Sequence, residues 1–390
     1  MSLPLELNPA LKQLLFYFII MSFLFTGNVA CKSTASISLP STINGLHLLG
    51  EYEVPWQQPF RETTIGGLSG IDYDAARNVY YLISDDRSAI NSARYYTAQI
   101  KISEHGPDSV VFLSVTTLRQ PGGQPYPPLT KRTGTTPDPE AIRYNSNQKQ
   151  WVWSSEGERI VKAGDTMLID PAIYITNRGG NCIDSLLLPA SLHMQAIEKG
   201  PRQNSTLEGL TFTDNYNTLF ASVEESLYED GPRASAEKGG LIRILRFNMH
   251  TRKSVAQYAY PIDPIAYPPD SSRVFASNGV AEIRAVNDHQ LLAIERSYTA
   301  GTGFTIKLFL AELENAQDIS TISSLGGNNQ VRPLSKKLLL NMSSLNRYVD
   351  NVEGVTFGPL LPNGHRTLIL VTDNNFNREE KTQFFVFEVL

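Results

Sequence analysis

The heptapeptide LEGLTFT, residues 207–213, sets an apolar residue and an acid before alternating apolar and polar positions, and it has four echoes along the chain. They are LSGIDYD (68–74), PEAIRYN (139–145), AEIRAVN (281–287) and VEGVTFG (352–358). With Ser69, Glu140, Glu208, Glu282 and Glu353 as anchors, successive copies stand 71, 68, 74 and 71 residues apart. Period-2 alternation marks a strand with a buried face, and a constant long period marks one supersecondary unit repeated along the chain.

A second strand follows each anchor and ends in acids or amides: YYLISDDR (80–87), WVWSSEGE (151–158), LFASVEES (219–226), LLAIERS (291–297) and LILVTDNN (368–375). The first acid of each cluster lies 16, 16, 16, 13 and 20 residues after its anchor. Third and fourth strands are readable behind most of these, such as RYYTAQIKI (94–102) and SVVFLSVTTL (109–118) in the first unit. Four antiparallel strands per unit, repeated, is the plan of a β-propeller. The expected fold is therefore all-β, with about five blades of ~71 residues. The fifth unit shows three strands, ending in QFFVFEVL (383–390), while LHLLGEYEV (46–54) precedes the first unit unassigned, so the N-terminal strand is expected to complete the last blade. Strands hidden in the long loop 120–140 would make six or more blades. A sandwich with long insertions is the rival architecture, and the constant period argues against it. A short helix is expected only around PASLHMQAIEK (189–199), as an excursion between blades.

Composition agrees with strands. Of 390 residues, 41% are hydrophobic and 19% charged, with 17 Tyr and 17 Phe, and aromatic residues favour sheets. The net charge of −5 leaves no basic footprint for neutralising phosphates, so nucleic acid is excluded as a partner. Before the propeller, Lys12 is followed by the apolar run LLFYFIIMSFLF (14–25) and then TGNVAC (26–31), the layout of a secretory signal peptide. The expected organisation is a signal peptide at 1–30, a lipid-bearing Cys31 with a Ser/Thr-rich tether at 31–45, and the propeller at 46–390. Asn28 departs from the lipoprotein pattern, so simple secretion is the alternative to a membrane anchor at Cys31. Cys182 is the other cysteine; with Cys31 acylated or removed no internal disulfide forms, and Cys182 reads as a small buried residue. The expected state is a monomer.

The recurring acids carry the candidate chemistry. Ring symmetry would bring Asp85, Asp86, Glu140, Glu156, Glu208, Glu224, Glu282, Glu295, Glu353 and Asp373 toward one axis, with Asn374 adding an oxygen beside Asp373. Like charges crowded together raise one another's pKa or demand a cation, and hard oxygen ligands suit Ca²⁺ or Mg²⁺. Glu156, Glu224 and Glu295 are the expected ligands or bases; Asp85, Asp86, Glu140, Glu208, Glu282, Glu353, Asp373 and Asn374 complete the metal set. Arg87 and Arg296 either pair with these acids or bind an anionic group of a substrate. The competing reading makes each acid a brace between blades. Ser69 lacks the second glycine and following helix of a nucleophile elbow, and six scattered histidines offer neither a triad base nor a zinc pair.

The succession GGLSGIDYD, YYLISDDR, DPEAIRY, WSSEGER, LEGLTF, NGVAEIRAV, LLAIERSY, DNVEGVTFGP and LILVTDNNF resembles the phytase-like domain family, whose members are also called esterase-like activity of phytase proteins. The resemblance runs from Gly50 to Leu390. Ala141 stands where that family usually has Gly, and Val280–Ala281 where it often has Ile-Ser; neither removes an acid. The resemblance implies an exported propeller hydrolase of a small phosphoester or ester. A non-catalytic surface-binding propeller with structural Ca²⁺ is the alternative.

Overall fold

The computed structural model describes residues 42–271, 273–327 and 330–390. Five four-stranded antiparallel sheets form a closed ring, a five-bladed propeller. Their innermost strands, Leu68–Asp74, Pro139–Asn145, Leu207–Thr213, Ala276–Ala285 and Asn351–Leu360, each touch the next, and the last touches the first. These are the expected anchor strands. The fifth sheet is completed on its outer edge by Leu46–Val54, paired antiparallel with Thr382–Val389, so the N-terminal strand ties the ring as the sequence indicates. No edge of the fifth blade is left half built.

Each interface between blades holds its own apolar core, which explains why the second strands Val79–Ser84 and Thr218–Val223 are buried along their whole length. Tyr81 and Tyr95 of blade 1 pack on Trp151 and Trp153 of blade 2. Ile173 of blade 2 meets Leu210 and Leu219 of blade 3, and Phe220 of blade 3 meets Ile283 and Leu291 of blade 4. Leu292 and Ile294 meet Val355 and Phe385 of blade 5, and Ile369 and Phe384 return to Leu82 and Tyr96 of blade 1. A strand covered on both faces needs an apolar run with few interruptions, and these strands supply it.

Some details depart from the sequence reading. The segment 189–199 forms only a 3-10 turn, Ala190–Leu192, because no apolar face recurs at helical spacing. The loop 120–140 contributes a 3-10 turn, Leu129–Lys131, and no further blade. Cys182 is half-buried on the short outer strand of blade 2, Cys182–Ser185, rather than enclosed, because an outermost strand has no neighbour beyond it. Among the described residues no helix is long and apolar enough to cross a membrane. The expected signal peptide, Cys31 and most of the tether lie outside the described residues.

The pairing register also corrects one alignment. Every inner strand carries a β-bulge at its anchor: the pairing slips between Leu68 and Gly70, Pro139 and Ile142, Leu207 and Leu210, Val280 and Glu282, and Val352 and Gly354. The equivalent anchors are thus Ser69, Glu140, Glu208, Ala281 and Glu353. On the second strands, Ser84, Ser155, Val223, Glu295 and Thr372 oppose the residue before the anchor, so the positions that follow them are Asp85, Glu156, Glu224, Arg296 and Asp373. In blade 4 the expected Glu282 and Glu295 are each one residue out of phase. A one-residue shift in a strand turns a side chain to the other face.

Candidate functional site: a carboxylate mouth

Antiparallel pairing brings the start of each inner strand beside the end of its second strand, so both sets of positions emerge at the same end of the axis. Oxygens of Asp85, Asp138 and Glu140 lie within 4.8 Å of one another, as do those of Glu140, Glu156 and Glu208, and Glu140 belongs to both groups. Glu224, Glu353 and Asp373 continue the set around blades 3 and 5. Asp85 is half-buried and the rest are buried. Arg296 enters from blade 4 and donates through Nη2 to Glu224 at 2.7 Å and through Nη1 to Glu353 at 2.5 Å and Asn351 at 2.6 Å. Arg87 reaches from blade 1 to blade 2, 3.2 Å from Asp138 and 2.6 Å from Glu158.

Burial is the main cause that lifts the pKa values here, and neighbouring acids add to it. Asp85, Glu140, Glu156, Glu208 and Asp373 are all raised well above the usual carboxylate range in this way. Asp138 is pushed up by burial to about 6, with Arg87 opposing the rise. Glu353 is raised by burial against the pull of Arg296. Burial works against the charge of Arg296, yet Glu353, Glu224 and Glu208 hold its pKa above the ordinary guanidinium value. One oxygen of Glu156 accepts the Thr206 amide, while its Oε2 is buried and receives no hydrogen bond from a described donor; Asp138 and Asp373 reach the neighbouring carboxyls of Asp85 and Glu353, contacts that need a proton on one partner of each pair. An atom like Glu156 Oε2 is rare in folded proteins and asks for a proton or a cation.

Other expected residues stand elsewhere. Glu282 turns along the axis to Arg143, whose Nη2 lies 2.6 Å from its Oε2 and which also donates to the carbonyls of Leu210 at 2.6 Å and Ile71 at 2.7 Å. Arg143 is fully buried and donates to inner-strand carbonyls of blades 1, 3 and 4, which places it on the axis beneath the mouth. Glu295 faces the blade 3–blade 4 interface, accepting from Tyr260 of blade 3 at 2.8 Å, from the Asp263 amide at 2.9 Å and from Lys336 of blade 4, so it braces the two blades. Asp86 accepts from the Ala89 amide at 2.7 Å, the Asn91 amide at 2.8 Å and buried Arg94 at 2.7 Å, so it shapes the loop behind the mouth. Asn374 accepts from the Gly67 amide at 3.0 Å, joining blade 5 to blade 1. Ser69 donates to the Glu140 carbonyl at 2.8 Å, which makes it an inter-blade brace.

Sequence reasoning missed Asp138 and Arg143. Asp138 precedes Glu140 by two residues, and i, i+2 spacing in extended chain places both on one face, so the signal was present in DPE. Arg143 had a weaker signal, a charge inside an otherwise buried inner strand.

A propeller ring with strand-end carboxylates gathered at one mouth of its axis defines the class: a β-propeller with an acidic axial site. Within that class the chain belongs to the phytase-like family, described as esterase-like activity of phytase, whose sequence model matches residues 63–376. No curated protein matches the chain. Among solved structures it is similar to an exo-β-1,3-galactanase from Phanerochaete chrysosporium, at 10% identity and a TM-score of 0.44 over 86% of this chain and 64% of that one. It is also similar to a xylan β-1,4-xylosidase from Bacillus halodurans, at 11% identity and a TM-score of 0.39 over 81% of this chain and 50% of that one. Nothing about activity follows from likenesses this distant.

Proposed function

We propose that the chain is an exported, lipid-anchored hydrolase that releases phosphate from a small phosphomonoester, with Ca²⁺ or Mg²⁺ held by the carboxylates of the mouth. The observation that carries this reading is the pair of oxygen-only groups sharing Glu140, together with the buried Oε2 of Glu156 that no described donor satisfies. Oxygen donors without nitrogen or sulfur suit a hard cation, so the residues fit the group. Asp85, Asp138, Glu140, Glu156 and Glu208 would hold it. When bound, a divalent cation supplies charge neutralisation for phosphate oxygens and acidifies a coordinated water.

The chain's own residues do the rest. Asp85, the member of the set most open to solvent, marks the side from which an attacking water reaches the mouth. Arg87 and Arg296, 24% and 17% exposed, hold Asp138, Glu224 and Glu353 in position and present positive charge at the rim, where a phosphate arrives. The buried Arg143–Glu282 pair fills the axis below the ligand set. A polyanion such as phytate meets this acidic mouth only with cations already bound.

Phosphate release from p-nitrophenyl phosphate and from phytate, with Ca²⁺ or Mg²⁺ and with EDTA, tests the proposal. Release that EDTA abolishes is expected. Release that survives EDTA sinks the cation mechanism, and cation binding without cleavage of any phosphoester or carboxylic ester leaves the non-catalytic surface-binding propeller. The anchor rests on the sequence at 12–31 and is tested by radiolabelled palmitate: label lost in Cys31→Ser supports it, and label retained refutes it.

A further inference from the structure

Blade 4 breaks the pattern of the mouth twice. Its anchor is Ala281 where blades 2, 3 and 5 have Glu140, Glu208 and Glu353, and its second-strand position is Arg296 where the other four blades have Asp85, Glu156, Glu224 and Asp373. The guanidinium does not point away from the acids it interrupts. It spans the gap between the flanking blades, with Nη2 on Glu224 of blade 3 and Nη1 on Glu353 of blade 5. Asn351 supports the geometry by accepting from the same Nη1 and donating to Glu353 at 2.9 Å.

The two sides of the mouth therefore differ in how their charge is met. On the blade 3–blade 5 side a fixed cation sits among Glu208, Glu224 and Glu353, all of which bear on its charge. On the blade 1–blade 3 side Arg87 meets Asp138 and Glu158 at the rim, but among the described residues no guanidinium or ammonium pairs with Glu140 or Glu156, and Glu156 Oε2 is left without a donor while the residue is 1% exposed.

We propose that Arg296 is a tethered cation: it fills the place of a bound divalent ion between Glu224 and Glu353 and so restricts free cations to the two carboxylate groups that share Glu140. The inference rests on the reading of the mouth as a cation site and adds a determinant of how many ions it takes. A guanidinium cannot leave, so the blade 3–blade 5 side keeps its geometry at any calcium concentration, while the other side responds to it.

The test is the number of Ca²⁺ ions bound by the full chain in equilibrium dialysis, for wild type, Arg296→Gln and Arg296→Lys, alongside melting curves with and without Ca²⁺. Arg296→Gln should bind one ion more than wild type, melt lower than wild type in EGTA and regain most of the loss in Ca²⁺. Arg296→Lys, which keeps the charge, should bind the wild-type number. An unchanged number in Arg296→Gln, while wild type binds calcium, overturns the inference and leaves the cation reading standing. Wild type that binds no calcium overturns that reading and the inference with it. An Arg296→Gln chain that stays unfolded at every calcium concentration contradicts the inference, because the ion then cannot take the guanidinium's place.

Discussion

Glu156 and Glu295 looked equivalent in sequence, and their surroundings separate them. Glu156 has one oxygen on the Thr206 amide and one free among other acids, whereas both oxygens of Glu295 are taken by Tyr260, Lys336 and the Asp263 amide. Glu156→Gln should weaken calcium binding at least about 10–100-fold, the range lost when even an outer partner of a metal ligand is removed. Glu295→Gln should leave that affinity unchanged; calorimetric titration of both variants decides the matter, and equal losses would contradict the placement. Arg143 is the other residue whose role is distinctive. Arg143→Met strands the buried Glu282 carboxylate and should cost about 3–5 kcal/mol in urea unfolding, since breaking a buried pair is worse than never having one. Adding Glu282→Gln should recover part of the loss.

At the scale of the strand, the bulge at each anchor decides which side chains reach the mouth. The residue after the anchor faces the neighbouring inner strand so closely that three of the five blades use glycine there. A Cβ on Gly209 would lie 2.5 Å from the Ile283 amide nitrogen and 3.0 Å from the Glu282 carbonyl carbon, both backbone atoms that cannot swing aside. Gly209→Ala should therefore destabilise by about 1–3 kcal/mol, the usual cost of forcing atoms into a packed interior. A lowered urea midpoint at unchanged slope is the expected result, and an unshifted midpoint would contradict the close approach. The register explains what was and was not legible. Alternation and a period near 71 residues exposed the strands, the blade count and the closing strand, because repetition leaves a mark in sequence whatever the local geometry. The phase of blade 4 was hidden because Ala281 and Arg296 hold the positions of acids in other blades while Glu282 and Glu295 stand one residue away, and the shortened 13-residue spacing from Glu282 to Glu295 was a trace of it. Most of the mouth was readable; Asp138 was overlooked although its spacing from Glu140 announced it.

The whole molecule gathers more negative charge at one mouth than its described residues neutralise, and its stability should report this. Folding raises the pKa of Asp138 to about 6 and those of Asp85, Glu140, Glu156 and Glu208 well above the usual range. The folded state thus holds protons that the unfolded chain releases above about pH 4, so stability falls as pH rises through the raised values. In EGTA the melting temperature should be higher at about pH 5.5 than at about pH 8, and calcium should close the gap by replacing the protons, which are released on binding. A melting temperature that climbs over that interval in EGTA would refute the sign.

The central claim is that the mouth holds a divalent cation through carboxylates shared around Glu140. Melting curves of wild type and Glu140→Gln over a calcium series at neutral pH test it most directly. A ligand at a hundredfold excess over its Kd stabilises by about 2.7 kcal/mol, so wild type should show a clear calcium-dependent rise in melting temperature, and Glu140→Gln, which damages both carboxylate groups at once, should show little or none. A wild-type melting temperature indifferent to calcium, or an equal rise in Glu140→Gln, would contradict the account.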